Sequence, residues 1–278
     1  MKANNGLEVV DFNLLICPAC GGSALQVDEA QVVCSGCGKA YRKEPGKVFF
    51  TEEYFDVDNW EGKSSEFDLF KRESFVPKRP DKIGGPRIKD LRSMLKVTGV
   101  ALNLGGGADS YEGFTNIDLG RYPNVHIVSS LQNIPYKDAS VDLVVSNSVL
   151  EHIYDYKSVI EEIYRVLKPG GYLYLSVPNL CMRHHEYDYH RWTMPGLVEL
   201  LGEFELVDHG FCRGVAYSID TLMEALIVHK TQPGFFRESL RRIWSFVGRP
   251  FYWIDGDNSP EYAAMSQTIY AIVRKQEE

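Results

Sequence analysis

Four of the six cysteines stand in two tight pairs, Cys17-Pro-Ala-Cys20 and Cys34-Ser-Gly-Cys37, separated by thirteen residues. Two residues between cysteines let both thiolates of one turn face a single point, and two such turns complete a tetrahedral shell of four sulfurs. Gly21-Gly22 and Gly36-Cys37-Gly38 supply the open backbone these turns need. The expected ligand is Zn²⁺, held by Cys17, Cys20, Cys34 and Cys37. A closed four-sulfur shell keeps no open position, so the metal is expected to be structural, stabilising about fifty residues that have little core of their own. Cys181 and Cys212 stand alone and read as ordinary half-buried thiols.

A second chemical signal is Gly105-Gly-Gly107, which follows the apolar run Val100-Ala-Leu-Asn-Leu104. Glycines after a strand let the backbone pass close beneath a ligand while the next helix begins. The run continues Ala108-Asp109-Ser110, so the third glycine of a dinucleotide fingerprint is absent, and no phosphate-binding P-loop sequence occurs. Asp118 ends the next apolar run, where a carboxylate can accept both hydroxyls of a ribose. The alternative for Asp118 is a turn or helix-cap residue.

The elements that position these groups follow from the apolar pattern. Residues 100–104, 114–119, 125–128, 141–146 and 172–177 read as buried strands. Val159, Ile160, Ile163, Val166 and Leu167 mark a helix stopped by Lys168-Pro-Gly-Gly171. Alternation of this kind predicts an α/β, doubly wound, mostly parallel sheet, whose ligands bind beyond the carboxyl ends of the strands. The tail predicts a strand over 204–209, helices over 219–229 and 235–247, and a closing strand over 266–274. The domains expected are a zinc ribbon over 1–55, a linker over 56–90, and a larger domain over 91–278 with a helical insertion at about 215–260.

The 278 residues carry 38 acidic and 30 basic side chains, a formal charge of −8. That balance argues against nucleic acid, and the ribbon through Phe50, with five basic and five acidic residues, offers no basic funnel. No apolar run approaches the roughly 18 residues of a membrane-spanning helix, and the start MKANNGLEVVDF lacks the pattern of a signal peptide. A cytoplasmic protein is expected. The basic, aromatic segment Phe235–Val247 reads as a lid or subunit contact, or as an interfacial helix giving peripheral membrane contact through 235–254.

The stretch Ala101–Asn179 resembles a class I S-adenosylmethionine-dependent methyltransferase of the type 11 group. The resemblance is carried by Leu102-Asn-Leu-Gly-Gly-Gly107, Asn116-Ile-Asp-Leu119 and Asn133-Ile-Pro-Tyr136. It continues through Ser140-Val-Asp-Leu-Val-Val-Ser146, Val149-Leu-Glu-His152, Arg165-Val-Leu-Lys-Pro-Gly-Gly171 and Ser176-Val-Pro-Asn179. It implies a seven-stranded Rossmann-like sheet that binds S-adenosylmethionine, the zinc ribbon preceding it. Gly105 and Gly107 would pass under the methionine part, Asp118 would hold the ribose, Ser130 and Leu131 would lie along the adenine, and Asn147 would line the site. Asn103 stands where the family usually has an acid, Asp109 where it has the last glycine, and Ser130 where an aspartate often meets the adenine.

Methyl transfer from a sulfonium is an in-line displacement in which alignment supplies most of the catalysis, and a base is needed only for a protonated nucleophile. His152 and His190 are the candidate bases. The stretch Arg183-His-His-Glu-Tyr-Asp-Tyr-His-Arg-Trp192, with His185 and Tyr189, is a candidate substrate loop. Both histidines also have a packing reading. The acceptor expected is a small molecule, a glycan or a lipid-linked compound, with the ribbon available to a protein partner. The competing expectation is a non-catalytic methyltransferase-like module that works through its ribbon.

Overall fold

The computed structural model describes residues 9–56, 85–183, 186–248 and 264–277. Its strands are β1 (Leu25–Val27), β2 (Gln31–Cys34), β3 (Ala40–Glu44), β4 (Lys47–Phe49), β5 (Ala101–Leu104), β6 (Thr115–Asp118) and β7 (Ile127–Val128). They continue with β8 (Val141–Asn147), β9 (Leu167–Pro178), β10 (Phe204–Arg213) and β11 (Thr268–Lys275). The helices are α1 (Leu91–Met94), α2 (Tyr156–Val166), α3 (Met194–Leu200), α4 (Val215–Lys230) and α5 (Phe235–Val247).

Apolar continuity makes the centre of the sheet. All four residues of β5 are buried, as are Val141 and Leu143 to Ser146 of β8, so both faces of these strands are covered. β7, β6, β5, β8 and β9 run parallel. The strand order is β1-β2-β3-β4-β7-β6-β5-β8-β9-β11-β10, so the direction of winding reverses between β5 and β8. That reversal is the switch point at which open α/β sheets hold ligands. α2 covers the sheet with Val159, Ile160, Ile163 and Val166, and the Asp155 carboxylate caps its first turn by accepting from Ser158 N.

Three expectations need correction. The sheet has eleven strands and not seven. The seven strands β7-β6-β5-β8-β9-β11-β10 lie within it, but β4 pairs in parallel with β7 through Val48 and Phe49, so the cysteine ribbon is built onto the sheet. A two-residue β7 would otherwise leave an unpaired edge beside the core. The helix expected after Gly105-Gly-Gly107 is absent: residues 105–114 form turns and lead directly into β6. β9 begins at Leu167, earlier than expected, because Pro169 drives the residue before it into extended backbone just as α2 ends.

Two further contacts tie the ribbon down. Leu15 bridges Tyr136, and Phe55 bridges Gly120, just past the end of β6. At the other side of the molecule α4 and α5 pack together. Arg241 Nε donates to Glu224 Oε1 at 2.5 Å and Trp244 Nε1 to Asp220 Oδ1 at 2.8 Å. Arg237 also turns inward, onto the carbonyls of Val228 and Thr231. Phe235, Phe236, Ile243 and Phe246 of α5 are exposed, and residues 249–254 of the segment read as membrane-facing lie outside the described residues. No described helix is long and apolar enough to cross a membrane.

Candidate active site and cysteine cluster

The carboxyl ends of β5, β6, β7 and β8 carry the predicted binding residues, and β6 and β5 are joined there by direct hydrogen bonds. Gly107 N donates to Asp118 Oδ2 at 2.8 Å and Gly120 N to Asp118 Oδ1 at 2.7 Å. Each carboxylate oxygen keeps a lone pair for a further donor. Burial raises the Asp118 pKa, opposed by the backbone N–H groups of Gly120, Gly107 and Leu119. Asp118 thus offers two hydrogen-bond acceptors beside a glycine backbone, the acceptor set that the two donating hydroxyls of a ribose diol require.

Without a following helix, the glycine loop is held by side-chain amides. Asn103 is 1% exposed and lies beneath the loop, where its amide donates to Asn116 Oδ1 at 3.1 Å and to the Asp109 carbonyl at 3.4 Å. Asn116 passes the link on to the Asn124 carbonyl at 2.8 Å. Asn124 Nδ2 then donates to the carbonyls of Gly107 at 3.1 Å and Asp109 at 2.7 Å. His126 Nδ1 accepts the Asn116 N–H at 2.9 Å and is therefore unprotonated, in line with a pKa lowered by burial and the Lys47 ammonium. The bonding roles of Asn116 and Asn124 were missed in the sequence; an asparagine early in β6 and another in the turn before β7 were the only signal.

Gly105 and Gly107 both have left-handed backbones, at φ +66° and +55°. A Cβ on Gly105 would meet Val149 Cγ1 at 2.5 Å, whereas one on Gly107 would approach nothing closer than Tyr122 at 3.8 Å. The space above Gly107 is therefore open, flanked by Asp118 and the Tyr122 ring. Ser130 and Leu131 follow β7, where Ser130 Oγ accepts from Gln132 N at 3.3 Å and Leu131 is 7% exposed. Asn147 ends β8 with its side chain exposed, and its Oδ1 accepts from the Ser176 hydroxyl.

The two candidate bases differ. His152 Nδ1 faces the Tyr187 carbonyl at 2.8 Å; a carbonyl only accepts, so Nδ1 carries a proton, and Nε2, 3.9 Å from Glu151 Oε1, is the ring atom that gains or loses the second one. His190 Nε2 faces the Tyr154 carbonyl at 3.1 Å, and its ring packs against Tyr156 and Trp192, which also touch each other. Beside His152, the Glu151 side chain is 0% exposed and neither carboxyl oxygen has a hydrogen-bond partner among the described residues. Its pKa is pushed up to about 7, chiefly by burial, with the Asp188 carboxylate adding and the Arg191 guanidinium opposing. Arg191 clamps the substrate-loop candidate: it grips the Asp188 carboxylate with two nitrogens and reaches the carbonyls of Cys181 and Met182. His184 and His185 lie outside the described residues.

The sulfurs of Cys17, Cys20, Cys34 and Cys37 all lie within 4.8 Å of one another. Cys17 and Cys37 are 3.7 Å apart and Cys20 and Cys34 3.6 Å. Disulfide sulfurs would be at about 2.05 Å. A tetrahedron of metal–sulfur bonds of about 2.3 Å sets sulfurs about 3.8 Å apart, which the observed spacings match. The Tyr41 hydroxyl lies 3.0 Å from Cys17 Sγ, orienting that ligand from outside the cluster.

Residues 107–175 match the family described as a methyltransferase domain. That stretch is similar to a methyltransferase domain. Over 60 residues it is 47% identical to a probable S-adenosylmethionine-dependent methyltransferase of Mycolicibacterium smegmatis, covering 21% of this chain and 23% of that protein. Over 92 residues it is 34% identical to a demethylmenaquinone methyltransferase of Oceanobacillus iheyensis, covering 32% and 38%. The matches thus span well under half of either relative. A structure of a Burkholderia thailandensis 1,6-didemethyltoxoflavin-N1-methyltransferase aligns at 17% identity and a TM-score of 0.42, over 67% of this chain and 75% of that one. The matched stretch contains Gly107, Asp118, Ser130, Leu131, Asn147 and His152.

Proposed function

We propose that the whole chain is an S-adenosylmethionine-dependent methyltransferase with a structural zinc ion in its ribbon. The observation that carries this reading is the Asp118 carboxylate bonded to Gly107 N at the switch point of the sheet. Asp118 holds the ribose; Gly105 and Gly107 bring open backbone to the methionine part; Ser130 and Leu131 flank the adenine; Asn147 closes the site toward the acceptor. When bound, the cofactor supplies an electrophilic methyl group on a sulfonium. The side chains of this domain align the acceptor and exclude water, and His152 Nε2 takes the acceptor's proton when the nucleophile is a hydroxyl or protonated amine. The four cysteines hold zinc without taking part in the chemistry. Small molecules, glycans and lipid-linked compounds are the acceptor classes in keeping with the net negative charge, and the quinone named in one relative makes a prenylated ring a compound to screen.

The test is calorimetric titration of the zinc-loaded chain with S-adenosylmethionine and S-adenosylhomocysteine, on the wild type and on Asp118→Ala. Micromolar binding that weakens at least tenfold in the variant is the expected result. A folded wild type that binds neither compound at millimolar concentration would overturn the enzyme reading in favour of a module acting through its ribbon.

A further inference from the structure

Beyond Asn147, away from Asp118, the carboxyl ends of β8 and β9 open into a cavity of about 310 Å³ that the cofactor contacts leave unused. Tyr111 and Tyr174 are among its lining residues, and its charged lining consists of Arg87, Lys89 and Arg213. Among the described residues no carboxylate lines it. In a chain of 38 acidic and 30 basic residues, three cations without an acid around one small cavity run against the background.

The three cations are not equivalent. Arg87 is neutralised by Asp90, 2.7 Å from its Nε. Arg213 lies with its guanidinium 4.8 Å from the Tyr217 ring centroid, and neither it nor Lys89 forms an ion pair among the described residues. Stacking on Tyr217 holds the planar fork of Arg213 in place, which lowers the entropy lost when it grips an anion with two parallel hydrogen bonds. The volume sits at the lower end of the range of about 300–1,000 Å³ for small-molecule sites, enough for one ring with short substituents. Two tyrosines in the lining favour an aromatic ligand.

We propose that this cavity receives the methyl acceptor and that the acceptor is a small ring compound bearing an anionic group, carboxylate or phosphate, bound by Arg213 with Lys89 beside it. The assignment rests on the methyltransferase reading, since Asn147 is the residue shared between the cavity and the cofactor contacts. It narrows the acceptor from any small molecule, glycan or lipid-linked compound to a charged ring compound.

The experiment titrates the zinc-loaded chain, saturated with S-adenosylhomocysteine, with benzoate and phenyl phosphate, and separately with the neutral benzamide and benzyl alcohol. The anions are expected to bind at least tenfold more tightly than the neutral rings. Added salt weakens the anions alone, Arg213→Gln removes most of the preference, and Arg213→Lys restores part of it. Unchanged S-adenosylhomocysteine affinity in the variants reports an intact fold; if Arg213→Gln loses it, the wild-type anion-to-neutral ratio decides alone. Equal binding of anions and neutral rings, binding of none of them, or anion affinity untouched by Arg213→Gln in a folded protein would overturn the proposal. Failure of S-adenosylhomocysteine to bind counts against the methyltransferase reading instead, and the same ratio measured without it still reads the cavity.

Discussion

An ionised carboxyl group buried without a hydrogen-bond partner is costly, and Glu151 is in that position whenever it loses its proton. Its folded pKa of about 7 lies above the value of 4.5 for an ordinary glutamate, so between those values the folded state binds more protons than the unfolded one. Stability from this group is therefore complete below about pH 4.5 and is lost as the pH rises through 7, a change on the order of 3 kcal/mol. Glu151→Gln, which cannot ionise, is expected to match the wild type near pH 5 and to exceed it near pH 8, as read by chemical unfolding at both values. A parallel pH dependence of the two proteins would show that Glu151 is not the titrating group. At this scale the sequence was partly legible. Asp118 and the four cysteines stood out because their spacing carries the chemistry. The amide chain Asn103–Asn116–Asn124 did not, because its members meet only when β5 and β6 lie side by side.

The glycine loop does without a helix because side-chain amides take over the hydrogen bonding that a helix would have provided. Asn124→Ala removes the two bonds to Gly107 and Asp109, worth about 1–3 kcal/mol together, and is expected to lower both the midpoint of urea unfolding and the affinity for S-adenosylhomocysteine. Undiminished affinity would mean that the loop holds its shape by other means. The two left-handed glycines separate strain from contact. Gly107→Ala is expected to cost the backbone term alone, about 1–2 kcal/mol. Gly105→Ala adds a collision with Val149 and should cost clearly more, with part of the loss recovered in Gly105→Ala/Val149→Ala. Equal losses for the two single variants would sink the collision argument. Strands such as β5 and β8 were readable from their apolar runs. The missing helix was not, since Ala108-Asp109-Ser110 differs little from an ordinary helix start.

At the scale of the whole molecule, the ribbon shares backbone hydrogen bonds with the sheet at β4 and a bridge at Phe55, close to Asp118. Chelating the zinc proposed for the ribbon is therefore expected to lower the melting temperature of the entire chain in one transition and to weaken S-adenosylhomocysteine binding as well. Two separate calorimetric transitions, with binding intact, would show the ribbon to be an independent appendage. The attachment was not legible in the sequence, because it joins Val48 to Ile127 and nothing local records a pairing of that range. The same long-range logic governs β11. It lies between β9 and β10 and pairs with both, its residues Thr268 to Val273 all buried. A ribosome releases β9 and β10 before it has made the strand that must separate them. Until Lys275 has left the exit tunnel, two long strands wait with bare flanks facing each other, and premature pairing between them would have to be undone. A strand made after both of its neighbours thus decides when those neighbours become stable.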